Sequence, residues 1–131
     1  MQREARTAVR PIVIDSGVLV SAALNPESVP ARAFRLALEL FSPVVSIETM
    51  AELTDVLQRA ELDRFVRREL RDRFLVSFQA NATLVNVTEK VQALVLVSGD
   101  DDLKVLHPFR GIAILTPREF LERFAGDYAN N

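Results

Sequence analysis

Two hydrophobic periodicities alternate along the chain. Ile12-Val13-Ile14 is a run of β-branched residues with no polar interruption, the pattern of a parallel strand covered on both faces. Asp15 ends it, and Ser16 to about Leu24 reads as an apolar helix. Pro30 opens a second helix, to about Leu40, with Phe34, Ala37, Leu38 and Phe41 at helical spacing. Ser42 to Ser46 is a short strand. Ser46 caps a helix over Ile47 to about Leu57, whose inner stripe is Met50, Leu53, Thr54 and Leu57. A long helix is expected from about Leu62 to Gln79. Leu62, Val66, Leu70 and Phe74 form one side of it, and Arg64, Arg67, Arg68 and Arg71 nearly the opposite side. Strands follow at 82–87, 93–97 and 112–115. Thr116, Pro117 and Glu119 spell the start of the last helix: N-cap, first helical residue and closure of a capping box, with Leu115 and Phe120 as the staple across it.

Strands alternating with helices predict an α/β fold, a three-layer domain with a mainly parallel central sheet. No linker or internal repeat divides the 131 residues, so one domain is expected over 1–131, with loose tails at 1–10 and 126–131. No apolar run is long enough to span a bilayer and no signal-peptide pattern opens the chain; the expected location is cytoplasmic, with no membrane partner.

Composition narrows the chemistry. Cysteine is absent and His107 is the single histidine, which excludes disulfides, thiolate metal sites, cysteine nucleophiles and multi-histidine centres. A net charge of −2 gives no global attraction to nucleic acid, so binding would rest on a local patch. The arginine side at Arg64, Arg67, Arg68 and Arg71 is the one concentrated basic feature; it reads either as a solvated helix face or as a phosphate-tracking surface.

The remaining chemistry lies in carboxylates. Asp15 and Asp100 each follow a β-branched strand, at the strand end where open α/β sheets bind ligands. On neighbouring strands they would stand about 5 Å apart, repelling each other unless a cation lies between them. All-oxygen ligands suit Mg²⁺ or Mn²⁺, and such an ion can orient water for in-line attack at phosphorus. Glu52 can approach from the helix after the second strand. Ser16 and Ser98 stand beside the two aspartates and can hold them by hydrogen bonds. Each residue alone has a plainer reading: Asp15 as an N-cap, Asp100-Asp101-Asp102 as a solvated turn, Glu52 as a surface residue. Two strands ending alike shift the balance.

Four stretches carry a family resemblance: Ile12 to Ala22, Ser46 to Leu57, Leu96 to Leu103, and Ile114 to Leu121. In that order and spacing the chain resembles the PIN-domain family, and within it the branch of toxins from toxin–antitoxin pairs. The resemblance implies a metal-dependent ribonuclease fold with strand order 3-2-1-4-5, a single-stranded RNA substrate and an antitoxin protein partner. It places Asp15, Glu52 and Asp100 at family acidic positions that hold the metal, with Asp102 as an auxiliary ligand.

Two departures stand out. The family has Asn where Gly17 stands. The family's segment between the third and fourth strands, with another metal-binding Asp and a helix, is absent. In the family's order the join from Val87 to Ala93 would cover about 22 Å, and its six Cα steps reach at most ~20 Å. The topology is therefore expected to change around residues 82–98, by a hairpin or by strand exchange with a second molecule, and a homodimer or larger homo-oligomer is expected. Three functions remain open: a Mg²⁺ or Mn²⁺ ribonuclease; a degenerate PIN domain serving as a binding or assembly module; and an unrelated α/β domain that accepts a phosphoryl group on a strand-end Asp.

Overall fold

The computed structural model describes residues 10–86, 95–100 and 112–129. Five strands form one all-parallel sheet: β1 (Pro11–Ile14), β2 (Ser42–Ser46), β3 (Thr83–Val85), β4 (Val95–Val97) and β5 (Ala113–Leu115), in the order β3-β2-β1-β4-β5. The helices are α1 (Ser16–Leu24), α2 (Val29–Leu40), α3 (Ile47–Leu57), α4 (Arg68–Asn81) and α5 (Pro117–Ala129), with a 3-10 turn at Ala60–Arg64. This is the α/β architecture and the strand order that the resemblance implies.

Burial separates the two sheet faces. Ile12, Ile14, Val45, Val95, Val97 and Leu115 share a face, and all are buried. On the other face Ile114 is buried while Val13, Val44 and Leu96 are half-buried. Aromatic contacts lock the helices together. The Phe34 ring lies 4.6 Å from Phe74 and 5.9 Å from Phe78, joining α2 to α4. Phe41 lies 5.7 Å from Phe120 and 5.2 Å from Phe124, joining the end of α2 to α5.

Local signals act as their chemistry requires. Ser46 Oγ accepts from Thr49 N at 3.0 Å at the start of α3. At the start of α5 the Thr116 N–H donates to Glu119 Oε1 (2.9 Å) while Glu119 N–H donates to Thr116 Oγ1 (3.1 Å), a closed capping box. Leu115 and Phe120, on either side of it, are both buried.

Three expectations are corrected. First, the sheet keeps its parallel order around residues 82–98. β3 pairs parallel with β2, and β4 pairs parallel with β1, so no hairpin forms between β3 and β4. The physical reason is strand length. β3 ends at Val85 and β4 starts at Val95, which leaves ten Cα steps, a reach of ~33 Å. Three strand spacings and one three-residue strand amount to only about 16 Å. Residues 87–94 themselves lie outside the described residues. Second, the single helix expected over 62–79 is two elements, because Arg67 takes an extended backbone (φ −60°, ψ 149°). The break resets the phase, so Arg71, Leu75 and Phe78 turn inward while Leu70 remains exposed. Third, α5 continues through 126–129, which shortens the C-terminal tail; the tail residues 1–9 and 130–131 lie outside the described residues.

Candidate active site

The order of the strands places a crevice between β1 and β4. From β1 the chain proceeds outward to β2 and β3 on one side, and β4 and β5 lie on the other. That reversal is where open parallel sheets bind ligands, beyond the carboxyl ends of the strands. Ile14 pairs with Val97, so Asp15 and Ser98 are the next residues out on adjacent strands. Asp15 N–H donates to Val97 O (2.9 Å) and Ser98 N–H to Leu115 O (2.9 Å), which fixes both backbones to the sheet.

Asp15 occupies the N-cap position of α1. Its carbonyl accepts from Val18 N and Leu19 N, starting the helix, yet its carboxylate makes no capping bond. The carboxylate turns instead toward Ser98, whose hydroxyl donates to Asp15 Oδ2 at 3.1 Å. The same hydroxyl accepts from the Asp100 backbone N–H at 3.0 Å. Ser98 is fully buried. A serine has one O–H to donate, and here it is spent on Asp15. One buried hydroxyl thus joins the two strand ends that carry the aspartates. Ser16, by contrast, has no side-chain hydrogen bond among the described residues.

Gly17 faces this carboxylate. A Cβ built there would lie 3.9 Å from Asp15 Oδ2, in ordinary contact and with no clash. The position where the resemblance implies Asn therefore does look onto Asp15, and in this chain no side chain fills it. Glu52 is exposed on α3 and Asp100 is exposed beyond β4. Among the described residues no three His, Cys, Asp or Glu side chains gather closely enough to hold a metal ion. Ser98 thus contacts both the Asp15 carboxylate and the Asp100 backbone N–H, while Glu52 is exposed on α3. Asp102 lies outside the described residues. Among the described residues no ion pair to Asp15 occurs.

The arginines divide. Arg64, Arg67 and Arg68 are exposed, and Arg68 Nη2 donates to Gln58 O at 3.0 Å. Arg71 is completely buried, against the expectation of a nucleic-acid-facing side chain. Its Nη1 donates to Leu57 O (2.9 Å) and Arg59 O (3.0 Å), and its Nη2 pairs with Asp63. It caps the Leu57 carbonyl at the end of α3, a group that a helix end leaves without a partner, and the Arg59 carbonyl just beyond it. The helix break that turns Arg71 inward also leaves Phe65 on the surface, 63% exposed, with the Arg64 guanidinium 5.3 Å from its ring centre. Neither change has a Pro or Gly to announce it in the sequence. The one available signal is Phe65-Val66 interrupting a stretch of charged residues.

A family model described as PIN domain (PIN_3) matches residues 11–107. The chain belongs to the PIN-domain family. Proteins of this family are generally nucleases and usually work with divalent metals such as Mg²⁺. Neither the curated proteins nor the solved structures gave a match. No described helix is long and apolar enough to cross a membrane.

Proposed function

We propose that the chain is a divalent-metal-dependent ribonuclease acting on single-stranded RNA, and that it is the toxin of a toxin–antitoxin pair. The observation that carries the nuclease reading is the Asp15–Ser98–Asp100 linkage at the β1/β4 crevice. A carboxylate free of capping duty, aimed at the neighbouring strand end and with no ion-pair partner among the described residues, fits a hard cation. Mg²⁺ commonly takes one or two protein carboxylates and keeps several waters, so this pair suffices as a first anchor. Asp15 and Asp100 would hold the ion, with Glu52 and Asp102 as the further candidate ligands. When bound, it would supply charge stabilisation at phosphorus and orient water in line with the leaving oxygen. Ser98 holds Asp15 in place; Arg64, Arg67 and Arg68 supply positive charge for the RNA backbone. The toxin assignment is supported by the likeness of the four motif stretches to that branch. Self-association is supported by the sheet face on which Val13, Val44 and Leu96 are only half-buried.

A second reading, a degenerate PIN domain that binds or assembles without cleaving, is favoured by two observations. Gly17 leaves the polar position beside Asp15 empty, and no third carboxylate joins the pair among the described residues. The two readings separate by incubating the protein with mixed single-stranded RNAs and Mn²⁺ beside an Asp15→Asn, Asp100→Asn double variant. The ribonuclease reading predicts cleavage by the wild type alone. Equal cleavage by both would assign the activity to a contaminant, and cleavage by neither favours the degenerate domain.

A further inference from the structure

Burying a Phe side chain is worth about 1.5–3 kcal/mol, so a Phe left 63% exposed calls for an explanation. Phe65 does not stand alone. With Leu24, Asn25, Pro26, Arg67 and Leu70 it lines an open groove of about 700 Å³ between the end of α1 and the start of α4. The groove lies one helix length from Asp15, about 13 Å along α1 at 1.5 Å per residue.

The chemistry of the groove is mixed in a specific way. One face of an exposed aromatic ring is flanked by the Arg64 guanidinium. Arg67 lines the groove itself. Over residues 59–71 five arginines stand against three carboxylates, in a chain of net charge −2. One of those carboxylates, Asp63, is paired with the buried Arg71. Asn25 Oδ1 accepts from Glu27 N at 3.0 Å, while its Nδ2 has no partner among the described residues. Flat aromatic surface interleaved with cations is the pattern by which proteins hold single-stranded nucleic acid, bases stacking on rings and phosphates meeting the charges. A stable protein partner would want about 800 Å² of surface on each side, whereas a few apolar side chains around an arginine suit one planar ring.

We infer that this groove is a nucleobase-stacking subsite for single-stranded RNA, with a base on Phe65 and the flanking phosphates on Arg64 and Arg67. The inference rests on the proposed RNA substrate and adds where, away from the carboxylates, the strand is held. Arg71 acts here as a positioning residue: by tying Leu57, Arg59 and Asp63 together it holds the turn that presents Phe65.

The test measures binding apart from cleavage. Anisotropy of end-labelled single-stranded RNA is followed in EDTA, where cleavage is off, for wild type, Phe65→Ala, Phe65→Tyr and Arg67→Ala. Phe65→Ala is expected to weaken binding at least about fivefold, the loss of one stacked base, and Phe65→Tyr to keep wild-type affinity. Arg67→Ala should lower the slope of log affinity against log salt by about 0.7, one phosphate contact on a single strand. Phe65 is exposed, so Phe65→Ala is expected to fold, as circular dichroism checks. A Phe65→Ala affinity equal to wild type would overturn the subsite. So would a dimer that Phe65→Ala dissociates with RNA affinity unchanged, which makes the groove a protein interface. Wild type that cleaves RNA while Phe65→Ala binds normally removes the subsite alone; wild type that neither binds nor cleaves removes the RNA reading with it.

Discussion

Ser98→Ala removes one oxygen from a fully buried position, and its consequences can be worked out bond by bond. The hydroxyl donates to the half-buried Asp15 carboxylate and accepts from Asp100 N–H. Hydrogen bonds to a charged group contribute ~1.5–3 kcal/mol. The Asp100 N–H lies at an exposed residue and can turn to water, so its loss adds little. The expected destabilisation is therefore about 2 kcal/mol. For a chain of this size that lowers Tm by ~5–10 °C. Urea unfolding measures it, and a double-mutant cycle with Asp15→Ala isolates the link, because the two changes should be non-additive by ~1 kcal/mol or more. Ser98→Ala should also weaken Mn²⁺ binding, since Asp15 loses the group that orients it. A variant as stable as wild type, with effects that simply add to those of Asp15→Ala, would refute the claim that Ser98 holds Asp15.

Three further outcomes follow from the packing. Arg71→Met should cost ~3 kcal/mol in urea unfolding, because Leu57 O loses its arginine donor and Asp63 its ion-pair partner, while Arg59 O keeps only the Leu62 N–H; Arg64→Ala and Arg67→Ala, both exposed, should stay within about 0.5 kcal/mol of wild type. Thr116→Ala opens the capping box of α5 and should cost about 1 kcal/mol in the same measurement. Gly17→Ala, in a helical position with room for a Cβ, should raise stability by ~0.5 kcal/mol through a less flexible unfolded chain. Gly17→Asn additionally places a polar group beside Asp15 and should tighten Mn²⁺ binding in a titration.

The elements around β1 are legible from sequence because each local signal agrees with the fold. The Ser46 cap and the Thr116 box are satisfied within a few residues of themselves, so no distant partner is needed to decide them, and the β-branched run at Ile12 to Ile14 announces a strand although its partners β2 and β4 lie far along the chain. The pairing of Asp15 with a partner across the sheet is legible only as a repeated strand-then-Asp pattern. That Ser98, and not Ser16, makes the bond depends on register, which the Ile14–Val97 pairing sets. The region from 58 to 71 is where tertiary structure overrides periodicity. Leu62, Val66, Leu70 and Phe74 form a valid helical stripe, but the carbonyls at Leu57 and Arg59 draw Arg71 inward, and the helix begins at Arg68 in a different phase. A buried arginine satisfied by backbone carbonyls leaves no trace in a hydrophobic pattern. The misjudged connection after β3 has a simpler origin: extending the third strand past Val85, where β3 ends, shortens the linker and makes the crossing look too long.

If Asp15 and Asp100, linked through Ser98, anchor a divalent ion between the ends of β1 and β4, calorimetric titration with Mn²⁺ should read one ion bound per chain by the wild type and none by the Asp15→Asn, Asp100→Asn variant. Heat of equal size from both proteins, or none from the wild type, would rule out a metal held by this pair.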